Sequence, residues 1–190
     1  GELVYKMVNT TEFPGWGYMI TQGATTVWEG WSMTNAVTPF TFRYATQESM
    51  TMLTGICRFL YDSIAGIQEP CFYGTREFEP GYGFIRIKPH VLGDLTYAEA
   101  SIKTIRGIVS SGWKKTGNSL VLDVTIPANI TAQVSVPEIG LKNATVTEGG
   151  KAVWKAGAYV KGVVGISGAR QEADYVTFDV GSGEYRFKLE

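Results

Sequence analysis

The sequence predicts an α+β chain, with a helical segment over roughly residues 1–68 and an antiparallel β-sandwich over roughly residues 69–190. Three observations carry this expectation. The first part holds an apolar stripe at helical spacing. The second part alternates apolar and polar residues with period two. Turn signals punctuate the alternating runs at short intervals.

The helical stripe lies in QESMTMLTGICRFLYDSIAGI, from Gln47 to Ile67, where Met50, Leu53, Cys57, Leu60 and Ile64 share one face and Gly66 is the expected stop. Ile56, Phe59 and Tyr61 widen that surface, so the helix needs partners on more than one side. On this reading Cys57 is a buried thiol. A shorter helix is expected from Gly17 to Gln22, ending at Gly23. Two or three helices with so much apolar surface make a poor independent core. They are expected either to self-associate through residues 1–68 or to pack strongly onto the sandwich.

The stretch IQEPCFYGTREFEPGYG, rich in Pro, Gly and aromatic residues, reads as a connection. Alternation begins at Phe84 in FIRIKPH and continues through SIKTIRGIVSSGWKK and SLVLDVTIPANITAQVSVP. Gly117-Asn118 signals a hairpin, Pro127-Ala128-Asn129 a second turn, and Gly181-Ser182-Gly183 a third, between YVTFDV and EYRFKLE. Short alternating strands of this kind indicate a sandwich of ordinary size.

Composition narrows the function classes. The chain has 190 residues, 44% hydrophobic and 18% charged, with a formal net charge of −1. Its charges form no block of one sign, which argues against nucleic acid or an anionic membrane as partner. No apolar run approaches the roughly 20 residues of a membrane span. The chain opens on Gly1 and is read as a fragment or processed product, so the compartment stays open between secreted, periplasmic and cytoplasmic. Cys57 and Cys71 are too few for a disulfide framework, although one bridge between them is conceivable. With His90 as the single histidine, no metal-ligand spacing is present, and no cofactor signature is seen. His90 reads as a strand-end residue of the sandwich. Asn9, Asn129 and Asn143 open N-x-Thr triplets, which matter only in a secreted protein.

The residues that invite a chemical reading are in GATTVWEGWS, residues 23–32, where one carboxylate, Glu29, stands between Trp28 and Trp31. A charged side chain between two indoles is an awkward neighbour unless it has work to do. In an extended segment side chains alternate, so Trp28 and Glu29 point to opposite sides unless Gly30 turns the chain. Trp16 and Tyr18 are alternative wall residues.

The block FPGWGYMITQGATTVWEGW (13–31), followed by FLYDSIAGI (59–67), PGYGFIRIKPH (80–90), GDLTYAEASIKTIRG (93–107) and VGSGEYRFKL (180–189), resembles the C-terminal portion of bacterial and fungal α-L-rhamnosidases of glycoside hydrolase family 78. The resemblance implies the last helices of an (α/α)6 barrel over residues 1–68, followed by the C-terminal β-sandwich over residues 69–190. It implies an inverting hydrolase that removes terminal L-rhamnose from glycosides, with Glu29 in the place of the general base. The partners it implies are a rhamnosyl glycoside and the remainder of the barrel. Trp16, Trp28 and Trp31 are then candidate sugar contacts. Inversion requires two carboxyl groups about 6.5–9.5 Å apart with a water between the base and the anomeric carbon.

Three departures accompany the resemblance. Many members carry a histidine, expected to touch the sugar, at a place that falls near Met50 here. A thioether cannot donate a hydrogen bond to a hydroxyl; Glu48 or Arg43 are possible substitutes. Gly30 stands where members often have Arg or Leu. The general acid is expected earlier in the barrel, and none of Glu2, Glu12, Glu48 or Asp62 sits in the family's acid motif. A chain without that acid is expected to hydrolyse nothing at a useful rate. Two other functions compete with this reading: a carbohydrate-binding sandwich displaying Trp113, Trp154 or Tyr159, and a purely structural sandwich that braces the barrel's last helices.

Overall fold

A computed structural model of the protein describes residues 1–28, 31, 54–68, 81–141 and 144–190. These fall into two compact units, Gly1–Phe59 and Leu60–Glu190.

In the first unit, α1 (Glu2–Asn9) is followed by α2 (Trp16–Thr21). Among the described residues, Met19 is the buried residue of α2, while Ile20 on the same helix is exposed. The helix stops as the sequence predicts. Gly23 takes φ 84°, its N–H bonds to the Ile20 carbonyl at 3.0 Å, and the Ala24 N–H bonds to the Met19 carbonyl at 3.0 Å. This paired return is a Schellman motif, which needs the left-handed conformation that glycine adopts without strain. Gly17 permits a second close approach, because a Cβ there would strike the Thr10 carbonyl oxygen. A last helix, α3 (Gly55–Phe59), ends the unit.

The expected long helix from Gln47 is therefore described only from residue 54 onward; Met50 and Leu53 lie outside the described residues. After α3 the chain tightens into a single π-helical turn, Leu60–Ile64. Two expectations for this stripe are corrected. Cys57 is a free, exposed thiol rather than a buried one, and Leu60 is exposed. A stripe is buried only by whatever packs on it, and periodicity does not supply that partner. Ile64, at the end of the same stripe, is buried.

The second unit is a two-sheet sandwich. Its strands are β1 (Ile67–Gln68), β2 (Phe84–Ile87), β3 (Tyr97–Thr104), β4 (Gly107–Thr116), β5 (Ser119–Ile126) and β6 (Thr131–Pro137). They continue with β7 (Val146–Glu148), β8 (Lys151–Lys155), β9 (Ala158–Tyr159), β10 (Ile166–Glu172), β11 (Tyr175–Val180) and β12 (Gly183–Leu189). One sheet has the order β1-β2-β6-β11-β10, and the other β3-β4-β5-β12-β7-β8-β9. Among the described residues every pairing is antiparallel except β2 with β6, which is parallel. The exception follows from connectivity: β3, β4 and β5 intervene in the other sheet, and parallel neighbours need such a long crossover.

The three predicted turns are where the chain reverses or changes sheet. Gly117-Asn118 closes the β4–β5 hairpin between Thr116 and Ser119. Pro127-Ala128-Asn129 carries the chain from β5 to β6, and Gly181-Ser182 from β11 to β12, each time between sheets. Alternation sets the core: Ile85 and Ile87 on β2, Val134 and Val136 on β6, and Leu120, Leu122 and Val124 on β5 all point inward and are buried. Phe178 of β11 stacks on Phe187 of β12 with centroids 4.9 Å apart, joining the two sheets. Such a pair adds about 0.5–1.5 kcal/mol beyond its burial.

Candidate functional site

The aromatic block of the first unit opens on α2. Trp16 is its first residue, and its ring meets that of Trp31 edge-to-face, with centroids 4.8 Å apart and planes at 85°. Both indoles are half-buried, so each keeps part of its surface open. Phe13 and Tyr18 form a second edge-to-face pair at 5.6 Å. Trp28 differs, being only 7% exposed. Of the residues singled out from the sequence, the structure thus brings Trp16 and Trp31 together, and it buries Trp28. Glu29 and Gly30 lie outside the described residues, as do Arg43, Glu48, Met50 and Cys71. Among the remaining carboxylates of the helical segment, Glu2 and Glu12 are exposed and Asp62 is half-buried.

In the second unit the sandwich grips the π-helical turn and the residues that leave it. Four successive carbonyls are capped by four different donors. Gln68 Nε2 donates to Asp62 O at 2.8 Å, the His90 backbone N–H to Ser63 O at 2.8 Å, Trp113 Nε1 to Ile64 O at 2.8 Å, and Ser111 Oγ to Ala65 O at 2.6 Å. The next carbonyl, that of Gly66, accepts from the Lys88 N–H at 2.8 Å. A helix ends with carbonyls that have no partner within it, and a buried end must find donors elsewhere. Gly66 makes the seat possible: at φ 80° it lies so close to the backbone of Lys88 and Pro89 that any Cβ would collide with them.

This clasp corrects the expectation that Trp113 and Trp154 are exposed platforms. Trp113 is 2% exposed and Trp154 5% exposed, and both belong to the core cluster. Tyr159 is half-buried, and its hydroxyl donates to Ile166 O at 2.8 Å. The inward phase of β4 runs Val109, Ser111, Trp113. Its alternation was visible in GIVSSGWKK and was the signal that would have placed Trp113 inside.

His90 follows β2 and is half-buried. Its Nδ1 lies 2.8 Å from the Tyr175 hydroxyl, and the two rings meet edge-to-face at 5.9 Å. Lys88 Nζ stands 4.7 Å from the centroid of the same tyrosine ring. Burial, helped by the nearby Lys88 charge, pushes the imidazole below its ordinary pKa. The strand-end role expected of His90 therefore holds: it is a packed, hydrogen-bonded residue of the sandwich.

Comparison with known proteins gives this architecture its class. Residues 1–64 match the family model of the bacterial α-L-rhamnosidase 6 hairpin glycosidase domain, and residues 74–151 match that of the bacterial α-L-rhamnosidase C-terminal domain. The class is thus a helical glycosidase domain followed by its C-terminal β domain, as the sequence led us to expect. The chain belongs to the bacterial α-L-rhamnosidase family.

Among curated relatives, an α-L-rhamnosidase of Formosa agariphila is 32% identical over 136 residues, covering 72% of this chain and 14% of that protein. One from Streptomyces avermitilis is 27% identical over 188 residues, covering 99% of this chain and 16% of that protein. The chain therefore spans about one-seventh of the length of the curated relatives it matches. Among solved structures, the α-L-rhamnosidase of Dictyoglumus thermophilum superposes with a TM-score of 0.81 at 31% identity, covering 100% of this chain and 19% of that one. The Streptomyces avermitilis enzyme complexed with L-rhamnose superposes with a TM-score of 0.74 at 27% identity, covering 100% of this chain and 16% of that one.

Proposed function

We propose that this chain is the C-terminal part of an inverting α-L-rhamnosidase that removes terminal L-rhamnose from glycosides. In this reading residues 1 to about 68 supply the last helices of the catalytic barrel, and the remainder forms the accessory sandwich. Glu29 is the general base. It takes a proton from the water that attacks the anomeric carbon, on the face opposite the departing oxygen. The general acid and most of the donors that orient the sugar come from barrel segments outside residues 1–190. The single observation that carries the reading is the family match over residues 1–64, which contains the WGYMITQGATTVWE block from Trp16 to Glu29.

The half-open pair Trp16 and Trp31 supports a wall role. Indole faces pack against the C–H faces of a pyranose and narrow solvent access to the reacting carbon. Trp28, the third candidate sugar contact, is 7% exposed and offers little open surface. The exposed apolar residues Leu3, Ile20 and Leu60 are, in this reading, contacts for the rest of the barrel.

The reading is tested by assaying the 190-residue chain on an aryl α-L-rhamnoside. Lacking the acid, it forfeits the ~10²–10⁴-fold that a positioned proton donor contributes, and no turnover above background is expected. Turnover that disappears in Glu29→Gln would show the acid to be within the chain and the division of labour wrong.

One observation favours a second, compatible role for the sandwich. Its four donors cap consecutive carbonyls from Asp62 to Ala65, which suits a brace for the barrel's last helix.

A further inference from the structure

The outer face of the larger sheet carries a trough that the clasp and the aromatic block do not use. Because side chains alternate along a strand, Ser111 and Trp113 turn toward Ala65 and Ile64 while Ser110, Gly112 and Lys114 face the other way. Cross-strand register then sets three rows on that outer face. Tyr97 opposes Lys114, which opposes Val121; Glu99 opposes Gly112, which opposes Asp123; Ser101 opposes Ser110, which opposes Thr125. The middle strand is therefore low at Ser110 and Gly112, and at the Gly112 row the longer Glu99 and Asp123 rise on both sides. The result is a concavity of about 760 Å³ lined by β3, β4 and Asp123. A second hollow of about 380 Å³ shares Ser110 and Asp123 and extends the trough toward Glu184 and Arg186.

Its lining is mixed and net acidic, with Glu99, Asp123, Glu148 and Glu184 against Lys114 and Arg186. Arg186 Nη1 holds both oxygens of Asp123, at 3.1 and 3.2 Å. Lys114 and Glu99 are both exposed, of opposite sign, on neighbouring rows of the same floor. Tyr97 stands 66% exposed at the rim on β3, at one edge of the sheet. Hydroxyls, carboxylates able to accept hydrogen bonds and one open aromatic ring suit a ligand that is uncharged, polyhydroxylated and extended. A polyanion would meet Glu99 and Glu184, and an apolar peptide would leave the carboxylates and hydroxyls without partners. Ser110 to Lys114 spans about 13 Å along the strand, and β3 to β5 about 10 Å across it, dimensions that fit a short run of sugar rings lying along β4.

We propose that this outer face binds a neutral glycan chain, with Tyr97 stacking on a sugar ring and the Gly112 notch, flanked by Glu99 and Asp123, receiving its hydroxyls. The sugar class rests on the rhamnosidase reading above only in that a glycoside-hydrolysing enzyme meets such chains; the trough itself does not depend on Glu29.

The test is affinity electrophoresis of the 190-residue chain in gels containing arabinogalactan, galactomannan or xyloglucan, with polygalacturonate as the charged control. Retardation by at least one neutral polysaccharide and none by polygalacturonate is expected. Tyr97→Ala should weaken it about tenfold. Gly112→Val should abolish it by filling the notch, and valine suits a strand position whose added Cβ would meet Glu99 Cβ at 3.4 Å. Thermal unfolding of both variants checks that they remain folded, and Glu99→Gln serves as the readout if Gly112→Val does not. No retardation by any neutral polysaccharide, equal retardation by polygalacturonate, or retardation unaffected by Tyr97→Ala and by the notch variant would overturn the proposal. None of these outcomes bears on hydrolysis by Glu29, so the two readings fail separately.

Discussion

Trp113 Nε1 donates a 2.8 Å hydrogen bond to the carbonyl of Ile64, 49 residues earlier, at the end of the π-helical turn. Both residues are buried. The bond joins the core of the larger sheet to the point where the chain stops being helical. Replacing the indole with a phenyl ring keeps much of the packing and removes the donor, leaving the Ile64 carbonyl without its partner. Trp113→Phe should therefore destabilise the β unit by about 1–3 kcal/mol, the cost of an orphaned buried acceptor. Urea unfolding followed by circular dichroism measures this, and an unchanged midpoint would show that the clasp contributes nothing.

Gly66 is a sharper test of the same seat. Its φ of 80° strains any L-residue with a Cβ, and the backbone of Pro89 occupies the space that Cβ needs. Gly66→Ala should cost more than the roughly 1 kcal/mol by which ordinary glycine-to-alanine changes alter stability, in the destabilising direction. Equal or greater stability in the same unfolding experiment would mean that the chain reseats without loss.

His90 makes stability depend on pH. Its folded pKa lies below the ordinary histidine value, chiefly through burial and secondarily through Lys88. The unfolded chain therefore binds more protons than the folded one as pH falls below about 6.5, so the contribution is present above that pH and is lost as pH falls through the folded pKa. Glu172, whose hydrogen bonds from Arg170 and Thr177 outweigh the opposing effect of burial and hold its pKa down, loses its contribution only in the more acidic carboxylate range. The melting temperature should decline between pH 7.5 and 5.5, and His90→Gln should flatten that decline. Parallel profiles for the two proteins would remove His90 from the account.

How much of this was legible in the sequence differs by feature. Gly23 and Gly66 announced helix ends, and Gly117-Asn118 announced a hairpin, because each is a local demand on backbone conformation. The alternation of Ile85 and Ile87, or of Leu120, Leu122 and Val124, showed strands for the same reason. The short strands β7, β8 and β9 were not read, since Gly149-Gly150 and Ala156-Gly157 interrupt the pattern before two periods are complete. The exposure of Cys57 and Leu60 and the burial of Trp113 and Trp154 were misread, because periodicity marks a face but does not say what lies against it. The carbonyl clasp joins residues 62–65 to residues as far on as 113, a tertiary relation without local trace. Glu29 stood out only as a carboxylate between indoles, and its proposed role came from the resemblance of the surrounding block.

The account turns on that carboxylate. The most direct measurement is turnover of an aryl α-L-rhamnoside by the complete enzyme, comparing Glu29 with Glu29→Gln. If Glu29 is the base that activates water, kcat falls by about 10²–10⁴-fold with little change in KM, because the amide cannot take the proton. A variant that turns over at the parent rate would contradict the assignment and leave this part of the chain with a supporting role alone.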